Sequence, residues 1–143
     1  MIRAYNEIYL DDAMQTLAEM FSYVPNARQA DVLFQHFVMS GVAYQFGRGN
    51  PRYINMPPQA LFEEVAGRKM PMIQPYSYGR SPEYWCGFVL AYYQWYTGLG
   101  FEQIGRRLPP SRIIAMYNPL HEASMEKFVL HSDYKPTGDQ PQA

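Results

Sequence analysis

Apolar residues return at three- and four-residue steps along most of the chain, and no stretch shows the two-residue alternation of a half-buried strand. From about Leu10 to Val24 the positions Met14, Leu17, Ala18, Met20, Phe21 and Val24 follow that spacing. Asp11 and Asp12 fall in the first turn, where negative charge suits the helix dipole. Pro25-Asn26 then breaks the pattern. A second helix is predicted over 27–46, with Ala30, Leu33, Phe34, Phe37, Val38, Val42 and Phe46 as its apolar set. Gly41 inside it costs about 1 kcal/mol against Ala, which predicts a close helix contact there.

Residues 47–58 carry two Gly, three Pro and two Asn, which predict a loop. A short helix follows over 58–67, with Leu61, Phe62 and Val65 on one side, and 68–80 reads as irregular. The stretch 81–97 is different. Ser81, Pro82 and Glu83 stand in N-cap, N1 and N2 order, and Gly98 supplies the left-handed stop. Seven aromatic rings and almost no charge lie between, which predicts a central helix buried nearly all round.

Beyond it, 101–108 reads as a short helix ended by Pro109-Pro110. Ser111 is placed to cap another over 112–117, and Asn118-Pro119 to open a last helix over 120–131. The polar stretch 133–143 reads as a disordered tail. The expectation is an all-α protein: one domain over 1–132, about five to six helices packed around the aromatic helix.

Composition refines this picture in two ways. The aromatic share of 16%, driven by 13 Tyr, predicts either a core laced with polar contacts or a recognition surface, with core packing the default. The net charge of −1 argues against a general polyanion binder but hides an asymmetry. Residues 1–47 set Arg3 and Arg28 against five acidic groups, a net of −3, whereas 48–112 set eight Arg or Lys against four Glu, a net of +4. The middle of the chain could carry a modest basic patch or only scattered solvated charge. The opening residues lack the basic-plus-apolar pattern of a secretory leader, and the longest apolar run, 85–93, is too short to span a bilayer. A cytoplasmic protein without membrane partners is expected.

Candidate chemistry is sparse. Cys86 is alone and reads as a small buried hydrophobe. His36, His121 and His131 lack ligand spacing, so no metal or cofactor is expected. His121 and Glu122 are the one acid/base candidate, but neighbours on a helix point about 100° apart and form no pair by themselves. Met125 removes the second histidine of a metalloprotease motif. Arg106, Arg107 and Arg112 near the 109–110 turn resemble a helix–turn–helix, but the second helix is too short to fill a major groove. What remains is a set of residue types that anchor interfaces or stack on bases: Arg48, Asn50, Tyr53, Tyr92, Gln94, Trp95, Tyr117 and His121.

Three blocks carry a resemblance: 41–51 (GVAYQFGRGNP), 84–96 (YWCGFVLAYYQWY) and 116–123 (MYNPLHEA). Together they resemble an uncharacterised family of small bacterial, Firmicutes-type proteins often encoded beside ADP-ribosyltransferase-like toxins. The resemblance spans about Tyr9 to Phe128 and departs in the N-terminal region and at Cys86. It implies a non-enzymatic antitoxin or immunity protein whose partner is a toxin. A nucleotide or ADP-ribose pocket, with Arg48 on phosphate and His121 or Glu122 as acid/base, is the alternative, and DNA binding a third reading.

Overall fold

The computed structural model describes residues 2–73 and 81–131, the last two of them, Leu130 and His131, by their backbone alone. The expected tail, and Tyr76 and Tyr78, lie outside the described residues. All regular structure among the described residues is helical: α1 (Leu10–Ser22), α2 (Ala27–Met39), α3 (Val42–Gly47), α4 (Pro51–Ile54), α5 (Pro58–Ala66), α6 (Pro82–Thr97), α7 (Phe101–Arg107), α8 (Pro110–Ala115), α9 (Tyr117–Leu120) and α10 (Met125–His131). A single 3-10 turn, Glu7–Tyr9, precedes α1. None of these helices is long and apolar enough to cross a membrane.

The axis of the fold is α6, and its ends follow their chemistry. Ser81 Oγ accepts from the Tyr84 amide at 3.0 Å, Pro82 occupies N1, and Gly98 closes the helix at φ 72°. Ten of its sixteen residues are buried, on every side of the helix, as expected for a helix without a charged stripe. Its main neighbour is α1. The two cross where Gly87 meets the backbone of Leu17 and Ala18, so closely that a Cβ on Gly87 would stand 2.3 Å from the Leu17 carbonyl oxygen. Helices α2, α3 and α7 close a second side through the rings of Phe34, Phe37, Phe46 and Phe101, with centroids 5.1–6.4 Å apart and mostly edge-to-face.

The segment before α1 belongs to this framework. A helix leaves its last carbonyls without partners. Here the Ala4 amide donates to Trp95 O at 3.0 Å and Arg3 Nη1 to Tyr96 O at 3.0 Å, and Trp95 Nε1 returns a bond to Tyr5 O at 2.8 Å. The N-terminal segment thus completes the C-terminal end of α6.

Several expected boundaries shift. The helix predicted over 27–46 is two helices, broken at Ser40-Gly41, where Gly41 sits at φ 86° with nothing within 4 Å of a Cβ built on it. Gly41 therefore serves a left-handed turn, and the close approaches between helices fall to Gly87 and to Gly105, which packs on Phe34. The 47–58 stretch contains the one-turn helix α4, because Asn50 caps it and Pro51 is pre-set for N1. Helix α8 starts at Pro110, with Pro109 in the cap position, and the Ser111 amide donates to Asp31 Oδ1 at 2.8 Å, so Ser111 is not the cap. The helix predicted over 120–131 begins only at Met125 as α10, after a turn at 121–124, and Asn118-Pro119 lie inside the separate one-turn helix α9 instead of opening it. The split at Gly41 and the one-turn helices α4 and α9 bring the seven predicted spans to the ten α-helices described.

Candidate functional site

The eight residues singled out by type fall into separate places. Arg48 and Gln94 come together at a pocket of about 400 Å³ between the end of α3, the end of α6 and the start of α7. Gln94 is its floor, only 3% exposed. Its Nε2 donates to Gly47 O at 3.1 Å and Leu99 O at 3.0 Å. Carbonyl oxygens only accept, so these two contacts fix which end of the amide is nitrogen. Gln94 Oε1 has no hydrogen-bond partner among the described residues. Apolar walls come from Val38, Ala43, Leu99 and Phe101.

At the rim stands Tyr44, 64% exposed, one helical turn before Arg48. Arg48 Nη1 donates to Tyr44 Oη at 2.7 Å and its guanidinium carbon lies 5.3 Å from the ring centroid. Glu102 also lines the rim and pairs with Arg106 at 3.4 Å. A second pocket of about 390 Å³ shares Val38 and Glu102 with the first and runs past Met39, itself 77% exposed, to Pro110. The two openings therefore lie on one face.

Trp95 and Tyr92 belong elsewhere. Trp95 is buried under the N-terminal segment, with Arg3 5.3 Å from its ring. Tyr92 packs on Trp95 and stacks on Tyr96 at 5.7 and 5.9 Å, and Arg3 lies 4.0 Å over Tyr96. Burial, then the nearby Glu126 carboxylate, pushes the Tyr92 hydroxyl above its ordinary pKa. Asn50 serves the backbone: its Oδ1 accepts from the Arg52 amide at 3.0 Å and its Nδ2 donates to Gln45 Oε1 at 3.2 Å. Tyr53 is half-buried on α4 beneath the Arg52 guanidinium, 5.5 Å away.

Tyr117 and His121 form a third cluster. Their rings stack at 4.2 Å, and the His121 Nδ1 lies 2.7 Å from Tyr117 O. Trp85 meets Tyr117 edge-on at 5.7 Å. His121 Nε2 and Glu122 Oε2 do approach, to 3.9 Å, which the helical-neighbour argument did not expect. Helix α9 has ended at Leu120, so the two residues occupy a turn and the 100° rule does not apply. The Glu122 side chain is 90% exposed, and the contact is a loose surface one.

The remaining chemistry is quiet. Cys86 is fully buried with its Sγ 3.7 Å from Pro110 O, and burial pushes the thiol pKa well up, away from the nucleophilic form. Among the described residues, no three His, Cys, Asp or Glu side chains gather to hold a metal. Tyr44 and Met39 were missed as site residues. Tyr44 was legible as the ring that falls off the apolar stripe of its helix, one turn from an Arg.

The chain matches no known family, no curated protein and no solved structure.

Proposed function

We propose that the protein is a non-enzymatic binding module that recognises a partner protein through the face bearing Met39, Tyr44 and Arg48. The exposed Tyr44–Arg48 pair carries the reading. A large ring left in water adds nothing to the core, and Tyr, Met and Arg are the types enriched where proteins meet. The bond from Arg48 to Tyr44 Oη holds both side chains before contact, so less side-chain entropy is lost on binding. Of the groups that could do chemistry, Cys86 is sealed in the core and His121 is stacked on Tyr117.

The resemblance supplies the first partner to try, a toxin encoded beside the gene, with the protein as its cytoplasmic antitoxin or immunity factor. DNA binding draws less support, because α8 has six residues and buries Ile113, while Arg106 on α7 is paired with Glu102.

The test is co-expression of the tagged chain with the neighbouring gene product, followed by purification and a toxicity assay. The native chain is expected to retain a stoichiometric partner and relieve its toxicity. The Tyr44→Ala/Arg48→Ala variant is expected to lose the partner with an unchanged Tm, because both side chains are exposed. Retention of the partner by that variant, or none by the native chain, overturns the proposal.

A further inference from the structure

Met39, the last residue of α2, is 77% exposed, and Tyr44, on α3, is 64% exposed. Large apolar side chains left in water mark a surface that something covers. Val38, Leu99 and Pro109 beside them are half-buried and also reach the surface. This face holds two hollows. One, of about 400 Å³, is lined in part by Tyr44 and Arg48, and the other, of about 390 Å³, by Asp31, Met39 and Pro109. Val38 and Glu102 line both and mark the middle of the face. Arg48 lies to one side of that middle and Asp31 to the other, with Asp31 about 12 Å before Met39 along α2. Knobs and hollows therefore share one surface.

Charge selects the occupant. The charged side chains lining the hollows are Arg48 and Arg106 against Asp31 and Glu102, a neutral set that gives a strongly acidic or basic surface no net attraction. Glu102 pairs with Arg106 at 3.4 Å, which leaves Arg48 in one hollow and Asp31 in the other. Arg48 donates to a hydroxyl, Tyr44 Oη, and Asp31 accepts from the Ser111 amide, so neither charge is neutralised by these bonds. A twofold axis reverses the order of features on a surface, so that each end meets the opposite end of the other copy. We propose that this face pairs two copies of the chain about a twofold axis beside Met39. Arg48 of each copy then faces Asp31 of the other, and Met39 and Tyr44 of each enter the hollows of the other. The inference rests on the reading of this face as an interface and adds a consequence: a paired copy cannot hold the partner protein, so capture of the partner splits the pair. Two well-exposed apolar side chains per copy are fewer than an obligate dimer buries, so pairing is reversible, with a Kd of about 1–100 µM.

The experiment is analytical ultracentrifugation of the full chain from about 1 to 500 µM, which brackets that range. The native chain is expected to pass from monomer to dimer and no further, because a twofold contact closes on itself. Arg48→Glu sets carboxylates against each other at both ends, and Met39→Glu sets two beside the axis, so each is expected to weaken pairing at least about tenfold. Both positions are exposed, so neither variant threatens the fold. A double-mutant cycle of Arg48→Ala and Asp31→Asn tests the contact between copies, since Asn keeps the oxygen that accepts from Ser111. Each change alone removes two surface ion pairs and is expected to weaken pairing about fivefold, and both together no more than one. A native chain that stays monomeric throughout, a dimer that survives both glutamate variants, or additive effects in the cycle overturns the inference. A chain that captures its partner through this face but never dimerises overturns the pairing alone. One that dimerises through it and captures nothing overturns the partner reading alone.

Discussion

Substituting Gly87 by Ala probes the crossing on which the fold depends. The added Cβ would stand 2.3 Å from Leu17 O, 2.7 Å from Leu17 C and 2.8 Å from Ala18 Cα. Carbon–oxygen contacts settle near about 3.3 Å, so α1 and α6 would have to part by about 1 Å along this line. The obstacles are main-chain atoms of a helix whose Leu17, Ala18, Met20 and Phe21 are fully buried, and no change of rotamer moves them. Overpacking costs about 1–3 kcal/mol, and a backbone obstacle places this case at the top, near about 3 kcal/mol. Ala returns about 1 kcal/mol of helix propensity over Gly. The net loss is about 2 kcal/mol, equivalent to a Tm about 6 °C lower for a chain of 143 residues. Thermal unfolding followed by circular dichroism reads it directly. Gly105→Ala is the control, since its Cβ would meet the edge of the Phe34 ring at 2.5 Å, and an aromatic ring can give way. The two should therefore differ, with Gly87→Ala the worse. If Gly87→Ala melts at or above the native protein, the close helix approach is wrong.

Trp95→Phe keeps the ring packing but removes the Nε1 bond to Tyr5 O, costing about 1 kcal/mol. Hydrogen exchange at the Ala4 amide, which caps Trp95 O, should quicken by about fivefold, and unchanged protection would mean that the N-terminal segment is held otherwise. Tyr5→Phe should leave stability unchanged or raise it at pH 7, because the Tyr5 hydroxyl is buried without a partner among the described residues. Burial raises the Tyr5 pKa above its ordinary value of 10.0, so the unfolded chain ionises first. Its contribution is thus complete below about pH 10 and lost as the pH climbs above it. In the Tyr5→Phe variant that part of the alkaline loss of Tm should disappear; an identical alkaline profile would place the hydroxyl in water.

The fold was legible wherever local chemistry and tertiary packing ask for the same residues. Ser81, Pro82 and Gly98 bound α6 because caps act within a turn, and the absence of a charged stripe follows from burial on all sides. The break at Gly41 was not legible from periodicity. Val38, Val42 and Phe46 keep helical spacing across it, since the chain re-enters a helix on the same core-facing side. The site was less legible still. Arg48 and Gln94 stand out by residue type and line one pocket, but only because Gln94 binds Gly47 O, a contact 47 residues apart that no local pattern encodes. Trp95 and Tyr117 carry the same residue-type signal and are spent on packing. A ring destined for the core and a ring destined for the surface look alike in sequence, and only burial separates them.

That separation bears on how the pocket keeps its shape. Its floor and one wall lie at the C-terminal end of α6, where a helix would ordinarily fray. Here four restraints act within five residues: Gln94 Nε2 reaches Gly47 O and Leu99 O, Trp95 is clasped by Tyr5, Thr97 Oγ1 donates to Tyr93 O at 2.8 Å and accepts from the Leu99 amide at 3.2 Å, and Gly98 passes under Ile2 O. Gly98 stands at φ 72°, and a Cβ there would lie 2.3 Å from the Ile2 oxygen, so no other residue type allows the N-terminal segment to cross so closely. The aromatic cluster around Trp95 and Arg3 thus braces the pocket at Gln94 and Arg48 rather than lining it. Loosening it should disorder the α6 terminus and weaken the partner contact proposed at Tyr44 and Arg48, without touching either side chain. Trp95→Phe tests this as well: capture of the proposed partner and Ala4 protection should fall together, and a loss of protection with capture unchanged would show that the pocket holds its shape without the brace.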